Sequence, residues 1–209
     1  SACNRYPHQM VTLFSTEESG TWLIITPEIL LTSSNNGTCR TMALAGTMPA
    51  DTDDKWSEKN RQEQRIVSDY INLTIAPLAS DIRLTEPYSV KAGGVQHLRT
   101  DFEFVGKKGF GIGKILDALH PTPAVCGLPK KEAMQFILDN EGYDREYYSG
   151  FSGPLNIQGS SNLYVTLRCA KLTGQYATLY AGGGIMPESE LRSEDLETQI
   201  KMETIKYIL

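Results

Sequence analysis

The sequence predicts an α+β fold, and three observations carry that expectation. The N-terminal third consists of short apolar, β-branched runs separated by polar, glycine-bearing turns, the pattern of strands joined by tight connections. Helical patterns then interleave with further strand patterns in a β–α–β–α order that does not match a doubly wound sheet. The 209 residues contain no internal repeat, low-complexity tract or linker, so one core is the default, burying about 70% of the surface the unfolded chain would expose.

Met10–Ser15 and Thr21–Thr26 form the first expected hairpin, joined by polar Thr16–Gly20. Pro27-Glu28 interrupts, Ile29–Thr32 resumes strand character, and the turn cluster Ser33–Gly37 leads to a strand over Thr38–Leu44. Glu28 is thus an acid between two apolar runs, and on this stretch alone it reads as an edge or loop carboxylate in water. Asp51–Asp54 reads as an acidic loop. A long helix is expected from Trp56 to Ala76, stopped by Pro77. Ile66, Val67 and Tyr70 mark its apolar stripe, and Glu63 continues that stripe, so it is either a paired buried acid or a ligand.

Ile82–Val90 is a further strand and Phe102–Gly113 a loop; Lys114–Leu119 starts a short helix that ends at His120-Pro121. Pro129 opens a helix to Asn140, since proline suits the first turn. Tyrosine- and glycine-rich Gly142–Gly153 leads into a closing hairpin. In its first strand Leu163, Val165, Leu167 and Cys169 share one face and Arg168 leaves from the other. Thr173-Gly174 supplies the turn, Gln175–Ala181 returns, and Gly182–Gly184 stop the strand. Ser193, followed by Glu194 and Asp195, reads as the N-cap of a last helix. On it Glu194, Glu197 and Lys201 share a face that Ile205 and Ile208 extend.

Composition narrows the function classes. Twenty basic against twenty-five acidic residues give a net charge of −5, so no basic excess advertises nucleic acid or anionic lipid. Cys3, Cys39, Cys126 and Cys169 show no CxxC spacing and no histidine companions, which argues against zinc; so few cysteines fit a reducing cytosol. No apolar run reaches membrane-spanning length, and the first ten residues carry no signal-peptide pattern and no initiator methionine, as in a fragment. GFGIGK at 109–114 lacks phosphate-loop spacing, and AGGG at 181–184 is no dinucleotide fingerprint; the latter reads as a backbone that a ligand approaches closely, or as a turn.

The carboxylates are the better lead. If Glu63 and Glu197 enter one pocket, two anions about 4 Å apart repel by about 4 kcal/mol at an effective dielectric of about 20. A shared proton, an arginine or a hard cation would each neutralise them. Oxygen donors without a cysteine or histidine cluster favour Mg²⁺ among cations. A small anionic substrate would complete the coordination through one carboxylate and Arg168 and Lys201 would take a second, so the pocket suits a small dianion.

These residues sit in a series of ordered motifs: TWLIITPEILL, ALAGT, HPTPAVCGLP, YSGFSG, VTLRCAKL, AGGGI and EDLETQIK. Together they resemble the C-terminal part of the chorismate-utilising enzymes, and within that superfamily the isochorismate synthases, over nearly the whole chain. The resemblance implies two packed, mainly antiparallel β-sheets surrounded by helices, with residues 1–209 forming the C-terminal part of one chorismate-binding catalytic domain that is incomplete at its N-terminus. It implies that Glu28 protonates the departing C4 hydroxyl, and that Glu63 and Glu197 bind Mg²⁺, which holds the ring carboxylate, with Glu194 acting through water. It further implies that Tyr148, Arg168 and the Gly184 backbone bind the pyruvyl carboxylate beside Lys201, that Gly46 and Thr47 line the ring pocket, and that His120 lies near the reacting face.

Ala124 stands where the ammonia-using relatives carry threonine, which favours water as nucleophile, and ALAGT lacks the lysine of aminodeoxychorismate synthases. Met42 and Met48-Pro49-Ala50 depart from the usual arginine-rich continuation of that loop. The water-activating lysine of the family lies upstream of the segment present, so the chain alone is expected to bind chorismate without turning it over. Salicylate synthase or another chorismate-utilising enzyme, and a non-catalytic chorismate-binding module, are the competing readings. The resemblance also implies a cytoplasmic monomer serving menaquinone or siderophore biosynthesis.

Overall fold

A computed structural model describes residues 1–52, 55–92 and 94–209. Asp53 and Asp54 of the expected acidic loop lie outside the described residues.

Two antiparallel sheets organise the chain. After a short helix α1 (Ala2–Arg5), β1 (Met10–Thr16) and β2 (Gly20–Thr26) form the expected hairpin, with Met10 opposite Thr26 and Thr16 opposite Gly20. They belong to a four-stranded sheet that β10 (Cys169–Leu172) and β11 (Ala177–Tyr180) complete in the order β1-β2-β10-β11. The second sheet holds β3 (Ile29–Ser33), β4 (Thr38–Pro49), β5 (Ala79–Leu84), β6 (Tyr88–Ala92), β7 (Val95–Gly106), β8 (Phe151–Ser152) and β9 (Ser161–Val165). Its order is β5-β7-β4-β3-β9-β8, with β6 also pairing to β7. Helices α2 (Glu58–Ile75), α3 (Ile112–Leu119), α4 (Lys130–Asn140) and α5 (Leu191–Lys206) surround the sheets. Among the described residues no helix is long and apolar enough to cross a membrane.

Apolar burial explains this arrangement. Ile71, Ile75, Ile115 and Leu119 from α2 and α3 pack with Leu30, Ala43, Phe102, Phe104 and Val165 of the larger sheet. Ile205 of α5 packs with Leu23, Ile25 and Ala170 of the smaller sheet, and Tyr6 closes that cluster by donating its hydroxyl to the Thr204 carbonyl. Each fully buried side chain of this kind contributes about 1.5–3 kcal/mol.

Several expectations are corrected. Phe102–Gly106 is not a loop but the end of β7, where Leu98, Thr100, Phe102 and Phe104 alternate inward. Ile82–Val90 is two strands, because Glu86-Pro87 separates β5 from β6 and proline has no N–H for a ladder. β4 runs past Leu44 to Pro49 through a bulge between Ala45 and Thr47, where Gly46 has a φ of 70° that favours glycine. The stretch Leu163–Cys169 is not one strand: β9 ends at Val165, and Thr166-Leu167-Arg168 crosses to the other sheet. Ser193 does not cap α5, which starts two residues earlier with Glu190 at the N-cap position. Ser57 caps α2 by accepting from the Asn60 N–H.

The α2 stripe is also rotated from the expected one. Ile66 and Tyr70 are half-buried, whereas Gln64, Val67, Ile71 and Ile75 are buried. Gln64 fits there because its amide is fully used: Oε1 accepts from the Ala45 N–H at 3.0 Å, and Nε2 donates to the Ala43 carbonyl and the Thr100 hydroxyl. That amide fixes α2 against β4 and turns Glu63 toward the end of the strand.

Candidate active site

The chain passes between the sheets at two places that run side by side. Thr26-Pro27-Glu28 leads from β2 to β3, and Thr166-Leu167-Arg168 leads from β9 to β10. Thr26 stitches them together: its hydroxyl donates to the Val165 carbonyl at 2.7 Å and accepts from the Glu28 N–H at 3.4 Å. The Val165 N–H donates to the Glu28 carbonyl at 3.0 Å, and the Ile25 N–H to the Arg168 carbonyl at 3.2 Å. Arg168 takes a left-handed φ of 45°, a conformation that costs a non-glycine residue about 1–3 kcal/mol. These bonds hold it there. An acid and a guanidinium therefore emerge at neighbouring points between the sheets.

Glu28 is 4% exposed, and burial pushes its carboxyl up from 4.5 to about 7. The Thr122 hydroxyl, donating to Oε1 at 3.5 Å, and the cations Lys201 and Arg168 only partly offset that desolvation. A carboxyl with such a value is partly protonated at neutral pH and suited to give up a proton.

The cationic side of the cleft is built as firmly. Arg168 is also buried; desolvation pulls it down to about 10, opposed first by Glu28, and it stays charged. Its Nη1 donates to the Ala92 carbonyl at 3.0 Å and its Nη2 approaches His97 Nε2 at 2.7 Å. Lys201 donates to Glu197 at 2.6 Å and to the Gly182 carbonyl at 3.0 Å. Buried Tyr148 stacks on Tyr180 with ring centroids 5.6 Å apart, and burial pushes its phenol up to about 12, so it remains a hydroxyl donor. A Cβ on Gly182 would lie 2.5 Å from that hydroxyl, so the backbone can pass this close only as glycine.

Three glutamates converge on the glycine run from two helices. A Cβ at Gly183 would meet Glu197 Oε1 at 3.3 Å and Glu194 Oε2 at 3.7 Å, and one at Gly184 would meet Glu63 Oε1 at 3.1 Å. Burial, then the negative charge of Glu197, raises the Glu63 carboxyl; the Gly46 N–H, Lys201 and Lys59 act against them. Burial also acts to raise Glu194, but its bonds to Lys59 and Ser189 and the charges of Lys59 and Lys201 outweigh it and leave that carboxyl lowered. Lys59 forms an ion pair with Glu194, and Lys201 one with Glu197. Among the described residues no ion pair involves Glu63, and no group of three or more His, Cys, Asp or Glu side chains is arranged to hold a metal.

One narrow cleft of about 70 Å³ collects Glu28, Gly46, Thr47, Glu63, Ala124, Tyr148, Arg168, Gly184 and Lys201. Glu194 and Glu197 stand behind its glycine wall. His120 does not line it; the ring Nε2 instead donates to the Ser149 carbonyl at 2.9 Å, and the ring packs on Phe151. A neighbouring cavity of about 1070 Å³ shares Pro27 and Leu44 with the cleft but contains none of these residues. Sequence reasoning missed His97 and Lys59. His97 lies on β7 where no strand was expected, although the inward alternation through Leu98, Thr100 and Phe102 marks one. Lys59 sits one helical turn before Glu63, a spacing that puts both on one side of α2.

The family model described as chorismate binding enzyme matches residues 2–209. The salicylate biosynthesis isochorismate synthase of Pseudomonas aeruginosa is 33% identical over 184 residues, which is 83% of this chain and 39% of that protein. Isochorismate synthase MenF of Escherichia coli is 34% identical over 180 residues, 81% of this chain and 41% of that one. The solved structure of the menaquinone-specific MenF from Escherichia coli superposes with a TM-score of 0.85 at 30% identity, covering 98% of this chain and 50% of that one. Anthranilate synthase component I from Streptococcus pneumoniae, at 22% identity and a TM-score of 0.80, shares the fold. The chain thus spans about half or less of the length of these relatives.

Proposed function

This chain belongs to the chorismate-binding enzyme family, and from that membership we propose that it forms the substrate-binding and proton-donating part of an isochorismate synthase. The reaction adds water at C2 of chorismate and releases the C4 hydroxyl as water, so substrate and product are isomers. The observation that carries this reading is the buried Glu28, with a carboxyl near pH 7, facing the same narrow cleft as Arg168 and Lys201.

Each group has a task that its environment suits. Glu28 gives its proton to the departing C4 oxygen, since desolvation keeps that proton bound near neutral pH. Arg168, charged and fixed, and the Tyr148 hydroxyl bind the pyruvyl carboxylate beside the Gly184 backbone. Gly46 and Thr47 line the ring side of the cleft, and Ala124 leaves a small apolar wall there. Lys201 is the one lysine among the described residues lining the cleft, and its ammonium is committed to Glu197 and Gly182. It holds charge at the carboxylate end and does not serve as the base that activates water.

Mg²⁺ is the cofactor that the donor set favours. Glu63, raised by the charge of Glu197 and without an ion pair of its own among the described residues, supplies hard oxygen ligands together with Glu197, and Glu194 stands next to them. Glu63 and Glu197 would hold the ion, which would supply the positive charge that neutralises their carboxylates and favours a substrate carboxylate beside them.

The test is product analysis by chromatography after adding chorismate and Mg²⁺, in parallel with calorimetric binding of chorismate to the chain. Binding with isochorismate as the product of the catalytically complete protein is expected. Salicylate as the product would replace this reading by one that includes pyruvate elimination, and no chorismate binding would remove it.

A further inference from the structure

His97 reaches three partners. Its Nδ1 lies 3.1 Å from the Gly46 carbonyl oxygen and 3.3 Å from the Thr47 hydroxyl, and its Nε2 lies 2.7 Å from Arg168 Nη2. The chemistry of these partners decides which nitrogen carries the proton. A carbonyl oxygen only accepts, so Nδ1 must be the N–H; a guanidinium nitrogen only donates, so Nε2 must be the bare acceptor. An imidazolium would aim a second N–H at the guanidinium, and the other neutral tautomer would leave two donors facing each other and the Gly46 carbonyl without this donor. The bulge that gives Gly46 its left-handed φ also brings its carbonyl to the ring, so a β4 backbone feature fixes a tautomer on β7.

We propose that His97 is a positioning residue, held in the Nδ1–H tautomer by Gly46, that aims the Arg168 guanidinium into the cleft. Among the described residues the Arg168 end group has one other hydrogen-bond partner, the Ala92 carbonyl that accepts from Nη1, and it lines the cleft where a ligand carboxylate would meet it. Without the His97 acceptor the planar fork would turn about its Cδ–Nε bond and lose its alignment for a two-pronged carboxylate contact. The ring is 5% exposed, and desolvation, then the charges of Arg168 and Lys201, hold its pKa well below 6.5. The neutral state therefore persists through the pH range in which Glu28 titrates. The ligand that Arg168 meets rests on the proposed function; the tautomer and the Arg168 contact do not.

Two measurements test this, and they fail separately. Nitrogen-15 NMR of the labelled chain should show His97 with a protonated Nδ1, a bare Nε2 and no titration between pH 5.5 and pH 8. A protonated Nε2, or a titration near pH 6.5, would overturn the proposal whatever the ligand is. For the ligand arm, His97→Leu removes the acceptor at similar volume, whereas His97→Gln can accept from Arg168. His97→Leu should weaken chorismate binding about 10- to 100-fold, the range expected for a charge-assisted hydrogen bond, and His97→Gln should recover most of that loss. Equal binding by His97→Leu, or equal loss in both variants with unchanged melting temperature, would also overturn it. If the wild-type chain shows the tautomer but binds no chorismate, the functional reading falls and the positioning of Arg168 stands.

Discussion

Glu28 is the residue on which the proposed chemistry turns, and its environment makes two predictions. Glu28→Gln preserves shape and hydrogen bonding but removes the transferable proton, so turnover in the catalytically complete protein should fall about 10²- to 10⁴-fold while calorimetry shows chorismate still bound. The second concerns stability. A folded-state value near 7 against an unfolded value near 4.5 means that the folded state binds the proton more tightly. Its contribution to stability is full below about pH 4.5 and is lost as pH rises through about 7, a change on the order of 3 kcal/mol. Denaturant titrations of wild type and Glu28→Gln at pH 5 and pH 8 should show wild type losing more stability at the higher pH. Equal losses would mean that Glu28 is not desolvated as described. The sequence revealed this residue only through family likeness. Read locally, an acid after Thr26-Pro27 belongs in water, and the partners it meets when buried, the Val165 N–H and the Thr122 hydroxyl, are distant in sequence.

At the scale of elements, the bulge in β4 and helix α2 act as one unit. Gly46→Ala would add a Cβ 3.0 Å from the Asn60 carbonyl oxygen on a φ of 70°, which should cost about 1–3 kcal/mol and disturb the carbonyl that fixes His97. Gln64→Leu would leave the Ala45 N–H without its side-chain partner and should cost about 1–3 kcal/mol, read by chemical denaturation. Helix α2 was legible from its periodicity, but Gln64 was not, since a polar residue inside a stripe can be recognised only with its three partners in place. The β1–β2 and β10–β11 hairpins were legible because their turns are local. The break at Thr166-Leu167-Arg168 was not, because alternation continues unchanged across it while the chain changes sheets.

Across the whole molecule, the candidate metal ligands come from helices on different sheets: Glu63 on α2, which packs on the larger, and Glu194 and Glu197 on α5, which packs on the smaller. A cation bridging them should therefore stabilise the whole fold. Mg²⁺ at about 100 times its dissociation constant should add about 2.7 kcal/mol, seen as a higher melting temperature that chelator reverses. Glu63→Gln and Glu197→Gln should blunt that shift, and an undiminished shift in both would place the ion elsewhere. The twin crossings at Pro27 and Leu167 have a further consequence. The acid and the arginine hang on hydrogen bonds that tie Thr26, Glu28 and Ile25 to Val165 and Arg168, so neither sheet can melt by itself without dismantling the candidate ligand site. Loss of ligand binding should coincide with loss of secondary structure in one cooperative transition, leaving no half-melted species that still holds substrate.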